Sequence, residues 1–496
     1  MPHLKFATSI AAGMLVAGCG LPPAADVVVP ADSIPSEWMD GSGTALGEDT
    51  SWAIKWWSAF SDPVLDSLVS VALSRNLDLA EAVARIDEAR ARVGIATADL
   101  IPAVNGAANA ARNEQPANAG FIGGIFGGGG NDSLPPDSAA PTGPDRFAFT
   151  DYTASLTLSW ELDLWGRIRR DRSAAIADLT AGEEDYRAIR IGIVAETIRA
   201  YHEVLDLRRG VELNREALDV LTERAALAES RYAQGLVTSF ELYRIRGDLR
   251  ATAAALPESQ AVLADAERRL VLLTGGFPGD LDDLLARADA SGDLGQATPP
   301  PSGVPADVLA QRPDVRAAAQ RLEGARQRVG ARKASLFPTL TLSATVGLQA
   351  NEPDNLFRLD QWFNNLAAGL TAPLFQGGRI RANIGVAEAQ YAQQVVAYTR
   401  AVLTAVGEVE ATLKQYEAQR DRFETITAEA SLSVQSDRYA AGVGGYTDYL
   451  DALRNALTVR TSAVRARRDL AFARLALHRA LGGTWVASET SSTTAP

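Results

Sequence analysis

One stretch of this chain alternates apolar and polar residues without interruption, and it sets the strictest condition on the fold. From Tyr152 to Trp165 the sequence reads YTASLTLSWELDLW, with aromatic residues, alanine and leucines at the even positions. Threonines, serines and two carboxylates fill the odd positions up to Asp163. A period of two residues predicts a β-strand with one apolar and one polar face. The fold must therefore place one face of this strand in an apolar environment and the other in water.

Three other runs repeat this alternation less clearly, and the predicted strands together cover about residues 102–112, 150–164, 338–349 and 362–375. Each run is at least as long as the ~9–11 residues that cross a bilayer as a tilted strand. Aromatic residues near strand ends are typical of the interfacial girdles of a membrane barrel. Here they are Tyr152, Trp165, Trp362, Phe363 and Phe375. The alternation by itself also fits a soluble sheet with one solvated face.

Most of the remaining chain is predicted to form helices. A helix over about 63–98 precedes the first strand, and another over about 305–334 precedes the third. No proline occurs between residues 167 and 234, where apolar residues recur at alternating steps of three and four, as in a coiled-coil seam. The pattern predicts two long antiparallel helical hairpins, over 167–274 and 379–481.

The turn of each hairpin carries its own signal. Gly235 fits the position just after a helix, and Gly442 fits the same position in the second hairpin. Thr238 and Glu241 form the pattern of a capping box, which begins the returning helix.

The chain also repeats itself. RIDEARARVGIATADLIP at residues 85–102 aligns with RLEGARQRVGARKASLFP at 321–338, and RYAQG near the first hairpin turn returns as RYAAG in the second half. We therefore predict two tandem structural repeats, at residues 63–290 and 291–482, followed by a C-terminal tail at 483–496.

The N-terminus predicts secretion and lipidation. Residues 1–18 have the layout of a signal peptide, whose apolar stretch is too short to span a membrane. The stretch ends in VAGC, which resembles a bacterial lipobox and makes Cys19, the only cysteine, the lipidated (palmitate-bearing) first residue of the mature chain. Gly20 in place of an aspartate indicates the outer membrane, and residues 19–62 form the expected lipidated N-terminal segment.

Composition disfavours several classes of function. A net charge of −13 and an isoelectric point near 4.9 argue against nucleic acid as a partner. One cysteine and three widely separated histidines predict neither a disulfide nor a His/Cys metal cluster. HEVLD at residues 202–206 lacks the second histidine of a zinc-binding HExxH, and no convincing nucleophile–base pair is visible. We expect no enzymatic activity, no metal and no cofactor.

Four strands in one chain cannot form a stable sheet in lipid by themselves. An open sheet leaves edge N–H and C=O groups unpaired, and lipid cannot satisfy them, so several chains must close the sheet together. Two chains give an eight-stranded barrel, whose interior is nearly filled by side chains. Three chains give twelve strands with room for a lumen, which suits the polar face, and a trimer is therefore expected.

Five motifs, spread with the lipobox over nearly the whole chain, carry a family resemblance. They are WWSAFSDPVLDSLVSVALSRNLDLAEA (56–82), SWELDLWGRIRR (159–170), RYAQGLVTSFEL (231–242), LAQRPDVRAA (309–318) and RYAAGVGGYTDYLDA (438–452). The chain thus resembles the TolC family of outer-membrane efflux channels, in the lipoprotein (NodT-like) branch that serves resistance-nodulation-division pumps. The resemblance implies a mixed α and β fold, in which a trimeric twelve-stranded transmembrane β-barrel continues into a long α-helical coiled-coil tunnel in the periplasm. It also implies two partners, a periplasmic adaptor (membrane fusion) protein and an inner-membrane pump.

The same resemblance assigns roles to the hairpin turns. The tips that would contact the adaptor are Gly235, Leu236, Val237, Thr238, Gly442, Val443, Gly444 and Gly445. The gate and selectivity contacts would be Glu241, Tyr439, Asp448 and Asp451. Three copies of the two aspartates around one axis would form carboxylate rings that favour cations, although acids at a helix start are also stabilised by the helix dipole alone. Some family members have a gate arginine where this chain has Gly444, so closure is expected to depend on Tyr439 and the aspartates.

These observations predict a lipid-anchored outer-membrane protein of a Gram-negative bacterium that acts as a passive exit duct for drugs or other small molecules. Two alternatives stay open, namely the duct of a type I protein secretion system and a coiled-coil lipoprotein that tethers the layers of the envelope. The alternating strands disfavour the tether, because a tether needs no barrel. The sequence does not specify the exported compound, since a wide tunnel leaves that choice to the pump.

Overall fold

The computed structural model describes Trp38, Trp57, Phe60 and residues 62–116, 146–288, 309–426 and 446–483. The helices are α1 (Pro63–Arg75), α2 (Leu77–Ala98), α3 (Arg167–Ala233), α4 (Ser239–Leu273), α5 (Asp282–Leu285), α6 (Pro313–Ala334), α7 (Arg379–Ile426) and α8 (Tyr446–Ala480). The strands are β1 (Ala103–Pro116), β2 (Arg146–Leu162), β3 (Thr339–Ala350) and β4 (Trp362–Thr371). Two short 3-10 turns lie between β3 and β4. None of the described helices combines the length and the apolar composition that a membrane span requires.

The described chain divides into two compact units. The first contains residues 91–116, 146–176 and 324–391, that is, the four strands and the helix ends that adjoin them. The second contains the remaining helical segments, at residues 62–90, 177–288, 309–323, 392–426 and 446–483.

The four strands of the first unit form one antiparallel sheet in the order β1-β2-β3-β4. β2 begins before the predicted residue 150, because Arg146 to Phe149 continue the pairing with the end of β1. β4 ends at Thr371, short of the predicted residue 375, and Pro373 follows after Ala372. Proline has no N–H to donate to a neighbouring strand, which explains the early end.

Asn76 divides the helix predicted over residues 63–98 into α1 and α2. Its backbone is extended, with φ −62° and ψ 132°. Its side-chain oxygen accepts the N–H groups of Asp78 (2.9 Å) and Leu79 (3.1 Å), which caps the start of α2. The side-chain amide donates to the carbonyl of Leu273 at 2.8 Å, so the same residue also fixes the end of α4. The helix predicted over residues 305–334 is interrupted at Arg312: residues 309–311 are helical, and α6 then begins at Pro313, a residue favoured in the first turn of a helix.

The main core of the second unit packs α1 between α3, α4 and α5. Its fully buried members include Leu65, Leu68, Val194, Ile198, Tyr201, Leu270 and Leu285. Asp62 fixes the start of α1 by accepting the N–H groups of Val64 (2.8 Å) and Leu65 (3.1 Å). The hydroxyl of Tyr201 donates to the other oxygen of this carboxylate at 2.7 Å, which ties α1 to α3.

Two histidines in the second unit make its stability depend on pH. His202 and His478 are buried, and because burial disfavours the charged imidazolium, their pKa values fall to about 4 and about 3. In the unfolded chain a histidine titrates near pH ~6.5. Between that pH and ~4 the unfolded chain binds protons that the folded chain does not, so the free energy of unfolding falls as the pH falls.

Each histidine should lower the free energy of unfolding by about 1.4 kcal/mol per pH unit in this window. We expect the thermal midpoint of the purified protein to drop between pH 7 and pH 5, and His202→Gln to show a smaller drop. Differential scanning calorimetry at several pH values measures both. An equal drop in the wild type and the variant would show that His202 does not contribute.

Candidate functional site

The sheet of the first unit has one apolar face, and this face is exposed. Paired residues of an antiparallel sheet lie on the same side, and the register places Leu156 of β2 opposite Val346 of β3 and Gly106 of β1. Leu158 lies opposite Ala344, which lies opposite Leu366 of β4. The relative exposure is 55% for Leu156, 52% for Val346 and 84% for Leu366. Such an exposed apolar surface marks contact with a membrane or another protein.

The opposite face of the sheet carries hydrogen-bonded polar residues. The hydroxyls of Thr157 and Thr345 lie 3.2 Å apart across β2 and β3. The carboxylate of Asp151 accepts hydrogen bonds from Gln349 (2.8 Å) and Thr153 (3.0 Å). This face is suited to water, as the alternation in the sequence predicts.

The sheet has two edges within the described part of the chain. There β1 pairs only with β2, and β4 pairs only with β3. The outer N–H and C=O groups of β1 and β4 therefore need partners from outside the chain wherever water is absent.

Aromatic residues pack and form hydrogen bonds at the end of the sheet that adjoins the helices. The indole N–H of Trp165 donates to the carbonyl of Pro338 at 2.8 Å, and its ring stacks on Phe337 with 4.8 Å between centroids. The indole N–H of Trp160 donates to the carbonyl of Leu100 at 3.0 Å. Amphipathic rings at one level of an apolar sheet are typical of a membrane–water interface.

Two carboxylates fix the passage from β2 into α3. Glu161 accepts two hydrogen bonds from Arg167 Nη2, at 2.8 Å and 2.9 Å. Asp163 accepts the backbone N–H groups of Arg169 (2.9 Å) and Ile168 (3.2 Å) at the start of α3. Burial alone would raise the pKa of Asp163, but these hydrogen bonds and the Arg169 guanidinium hold it below its usual value.

The turn between α3 and α4 forms a stable tip. Gly235 has φ +72°, which favours glycine, and its N–H donates to the carbonyl of Tyr232 at 2.9 Å. The N–H of Leu236 donates to the carbonyl of Arg231 at 2.9 Å, which completes a Schellman motif. Thr238 Oγ1 then accepts the N–H of Glu241 at 3.3 Å and caps α4.

The tip also exposes two aromatic residues that the sequence analysis did not single out. Leu242 and Ile245 are buried against α3, so Phe240 and Tyr243 point away from the hairpin, and both are exposed together with Leu236. Helical periodicity counted from Leu242 would have identified them, because residues one or two positions apart do not share a face of a helix.

The structure describes part of the predicted site. Gly235, Leu236, Val237 and Thr238 form the turn itself, and Glu241 lies in the first turn of α4. Asp448 and Asp451 lie at the start of α8. The other predicted residues lie outside the described part of the chain, and they are Cys19, Tyr439, Gly442, Val443, Gly444 and Gly445. Among the described residues, no cluster of three or more His, Cys, Asp or Glu side chains could hold a metal ion.

Comparisons with known proteins agree with this geometry. The sequence profile of the family described as "Outer membrane efflux protein" matches residues 68–276 and 304–483. The pyoverdine export outer membrane protein OpmQ of Pseudomonas aeruginosa is 30% identical over 494 residues, which cover 97% of each chain. The toluene efflux pump outer membrane protein TtgI of Pseudomonas putida is 30% identical, over 96% of this chain and 97% of its own. The solved outer-membrane channel OprN superposes with a TM-score of 0.76 at 27% identity, over 94% of this chain and 98% of its own.

Proposed function

This chain belongs to the outer membrane efflux protein family, and we propose that three copies of it form a passive exit duct for drugs or other small molecules. Like its relatives, it is an outer-membrane channel of a tripartite efflux system. Its fold is that of the TolC-family channels, with a four-stranded sheet and long helical hairpins.

One observation carries the proposal, namely the sheet with an exposed apolar face, a polar opposite face and two open edges. In a bilayer the apolar face contacts lipid, and the edges must pair with those of other chains. Three chains supply twelve strands, enough for a lumen lined by the polar face. The hydrogen-bonded threonines and Asp151 would then face water inside the barrel.

The hairpin tips provide the contact with the rest of the efflux system. The exposed Leu236, Phe240 and Tyr243 around the turn offer an apolar surface to a periplasmic adaptor protein, which would link the channel to an inner-membrane pump. The second predicted tip, Gly442 to Gly445, would contribute to the same contact. Acyl chains on Cys19 would add an anchor in the outer membrane. No nucleic acid and no cofactor take part.

The choice of cargo belongs to the pump in this proposal. One similar protein is named for pyoverdine and another for toluene, at the same identity to this chain. Such different compounds, named for two channels that are equally similar to this chain, support a duct that does not itself select the compound.

Planar-bilayer recordings test the duct and its gate together. We expect the wild-type trimer to give small, cation-selective currents, because rings of Asp448 and Asp451 attract cations at the narrow end. Asp448→Asn/Asp451→Asn should increase the current and lower the ratio of cation to anion permeability several-fold.

Asp78→Asn is the matched control, because Asp78 is also an acid in the first turn of a helix, α2. It should leave the permeability ratio unchanged. Equal ratios in all three proteins would show that the two aspartates act only as helix-start acids. Trimers that insert into the bilayer but carry no current, in the wild type and the double variant alike, would contradict the duct.

A further inference from the structure

A cleft in the first unit contains two arginines that the duct and its gate do not explain. The arginine cleft lies between the C-terminal end of α6 and the start of α7 and has a volume of about 320 Å³. Its polar lining consists of Arg328, Arg332, Ser335, Asn383 and Gln390. Ile380, Val386 and Ala387 supply aliphatic surface. Sites for small molecules typically have about 300–1,000 Å³ and combine apolar walls with a few polar groups.

The charge of the arginine cleft is positive. A guanidinium stays protonated in proteins, and Arg328 and Arg332 are four residues apart, on the same side of α6. The charges of both arginines act on Asp171 of α3, whose carboxyl does not line the cleft. Burial raises the pKa of Asp171 in spite of these arginines. Lys333 is paired with Glu388 at 2.9 Å, and neither of them lines the cleft.

A chain of charged groups connects the arginine cleft to the polar face of the sheet. Glu161 lies opposite Thr341 in the register, so it belongs to the polar face. Arg167 binds Glu161 at 2.8 Å and lies 3.9 Å from Asp171. Asp171 in turn interacts with Arg332 and Arg328. The arginine cleft therefore lies near the end of β2 that carries Glu161, where the strands give way to the helices.

We propose that the arginine cleft binds small organic anions, with a carboxylate or sulfonate held by Arg328 and Arg332 and an apolar body placed against Val386. The planar fork of an arginine matches the two oxygens of a carboxylate, and such charge-assisted hydrogen bonds are the stronger ones. The inference rests on the proposed function, since the lumen is the route by which solute reaches the cleft. Binding is weak enough for release, because conduction requires that a bound solute also leave.

The probe is 1-naphthoate, an aromatic carboxylate, titrated into the detergent-solubilised full-length trimer and followed by calorimetry. We expect saturable binding that weakens with added salt, and much weaker binding of the uncharged 1-naphthamide. Arg328→Gln/Arg332→Gln should lower the affinity for 1-naphthoate at least ~10-fold, since the charge-assisted hydrogen bonds to its carboxylate are lost. Lys333→Gln, next to Arg332 but outside the cleft, should bind like the wild type.

A second variant tests the cleft if the double variant does not assemble. Val386→Glu adds a carboxylate at an exposed residue of the cleft wall and should weaken 1-naphthoate binding as well. No saturable binding to the wild type, equal binding of the amide, or unchanged affinity in the assembled variants would each overturn the proposal.

Recordings from the same preparations separate this proposal from the proposed function. Binding of 1-naphthoate without any current would support the anion site and contradict the duct. Current without binding of 1-naphthoate would support the duct and contradict the anion site.

Discussion

Leu156→Arg should prevent the protein from accumulating as a membrane-inserted trimer. Leu156 lies in β2 on the exposed apolar face, opposite Val346 and Gly106. A charged side chain on the lipid face near the middle of a barrel costs about 2–4 kcal/mol, and a trimer carries three copies. Fractionation of the envelope, followed by electrophoresis of unheated samples, measures the amount of assembled trimer.

Thr157→Arg is the matched control, because the neighbouring residue points to the polar face, where Thr157 lies 3.2 Å from Thr345. An arginine there can reach water, so we expect assembly close to that of the wild type. Equal assembly of both variants would contradict the assignment of the two faces. A loss confined to Thr157→Arg would reverse it and place lipid on the threonine side.

Arg312→Met should strongly destabilise the second unit. The Arg312 side chain is only 7% exposed and binds Asp314 at 2.6 Å and Glu408 of α7 at 2.7 Å. It also donates to the carbonyl of Ala480, the last residue of α8, at 2.9 Å. Burial alone would lower the pKa of Arg312, but the two carboxylates raise it, so the side chain stays charged. The variant loses charge-assisted hydrogen bonds to both carboxylates, each worth about 1.5–3 kcal/mol. It also leaves the buried carbonyl of Ala480 without this donor, whereas the half-exposed carboxylates of Asp314 and Glu408 can still be hydrated.

Arg321→Met provides the comparison for Arg312, because Arg321 also pairs with an acid, Asp185, but both side chains are partly exposed. Exposed ion pairs contribute at most about 1 kcal/mol. Thermal unfolding of the purified trimers should therefore show a large decrease in midpoint for Arg312→Met and a small one for Arg321→Met. Similar midpoints for the two variants would show that the contacts of Arg312 are not what stabilises the junction of α6, α7 and α8.

The sequence predicted best those features that repeat at a fixed period. Alternation from Tyr152 to Leu162 located β2 and assigned its two faces, and the structure shows a strand there, paired with β3. The glycine and threonine of the first hairpin turn predicted a C-terminal motif and a cap, and both are present at Gly235 and Thr238. Each of these local patterns has a local physical cause. The pleat of a strand produces the alternation, a left-handed backbone favours the glycine, and an unpaired N–H at the helix start favours the threonine.

Features that depend on distant segments could not be predicted in this way. Asn76 breaks a helix that periodicity alone would continue, because its amide bonds to Leu273, nearly two hundred residues later. The role of Arg312 depends on Glu408 and Ala480, and no spacing in the sequence brings these residues together. The arginine cleft likewise needs the packing of α6 beside α7. Contacts of this kind follow from packing of the whole chain and not from any single stretch.

The open edges of β1 and β4 have a consequence for how the protein is made. The sheet is complete only when three chains associate, so folding of the barrel is coupled to association. The yield of the barrel therefore depends on the local concentration of newly secreted chains. Until that encounter, the sheet in the described part of each chain displays the outer edges of β1 and β4 and an apolar face, the surfaces through which proteins aggregate. The chain must therefore cross the periplasm without aggregating before three copies can form the barrel.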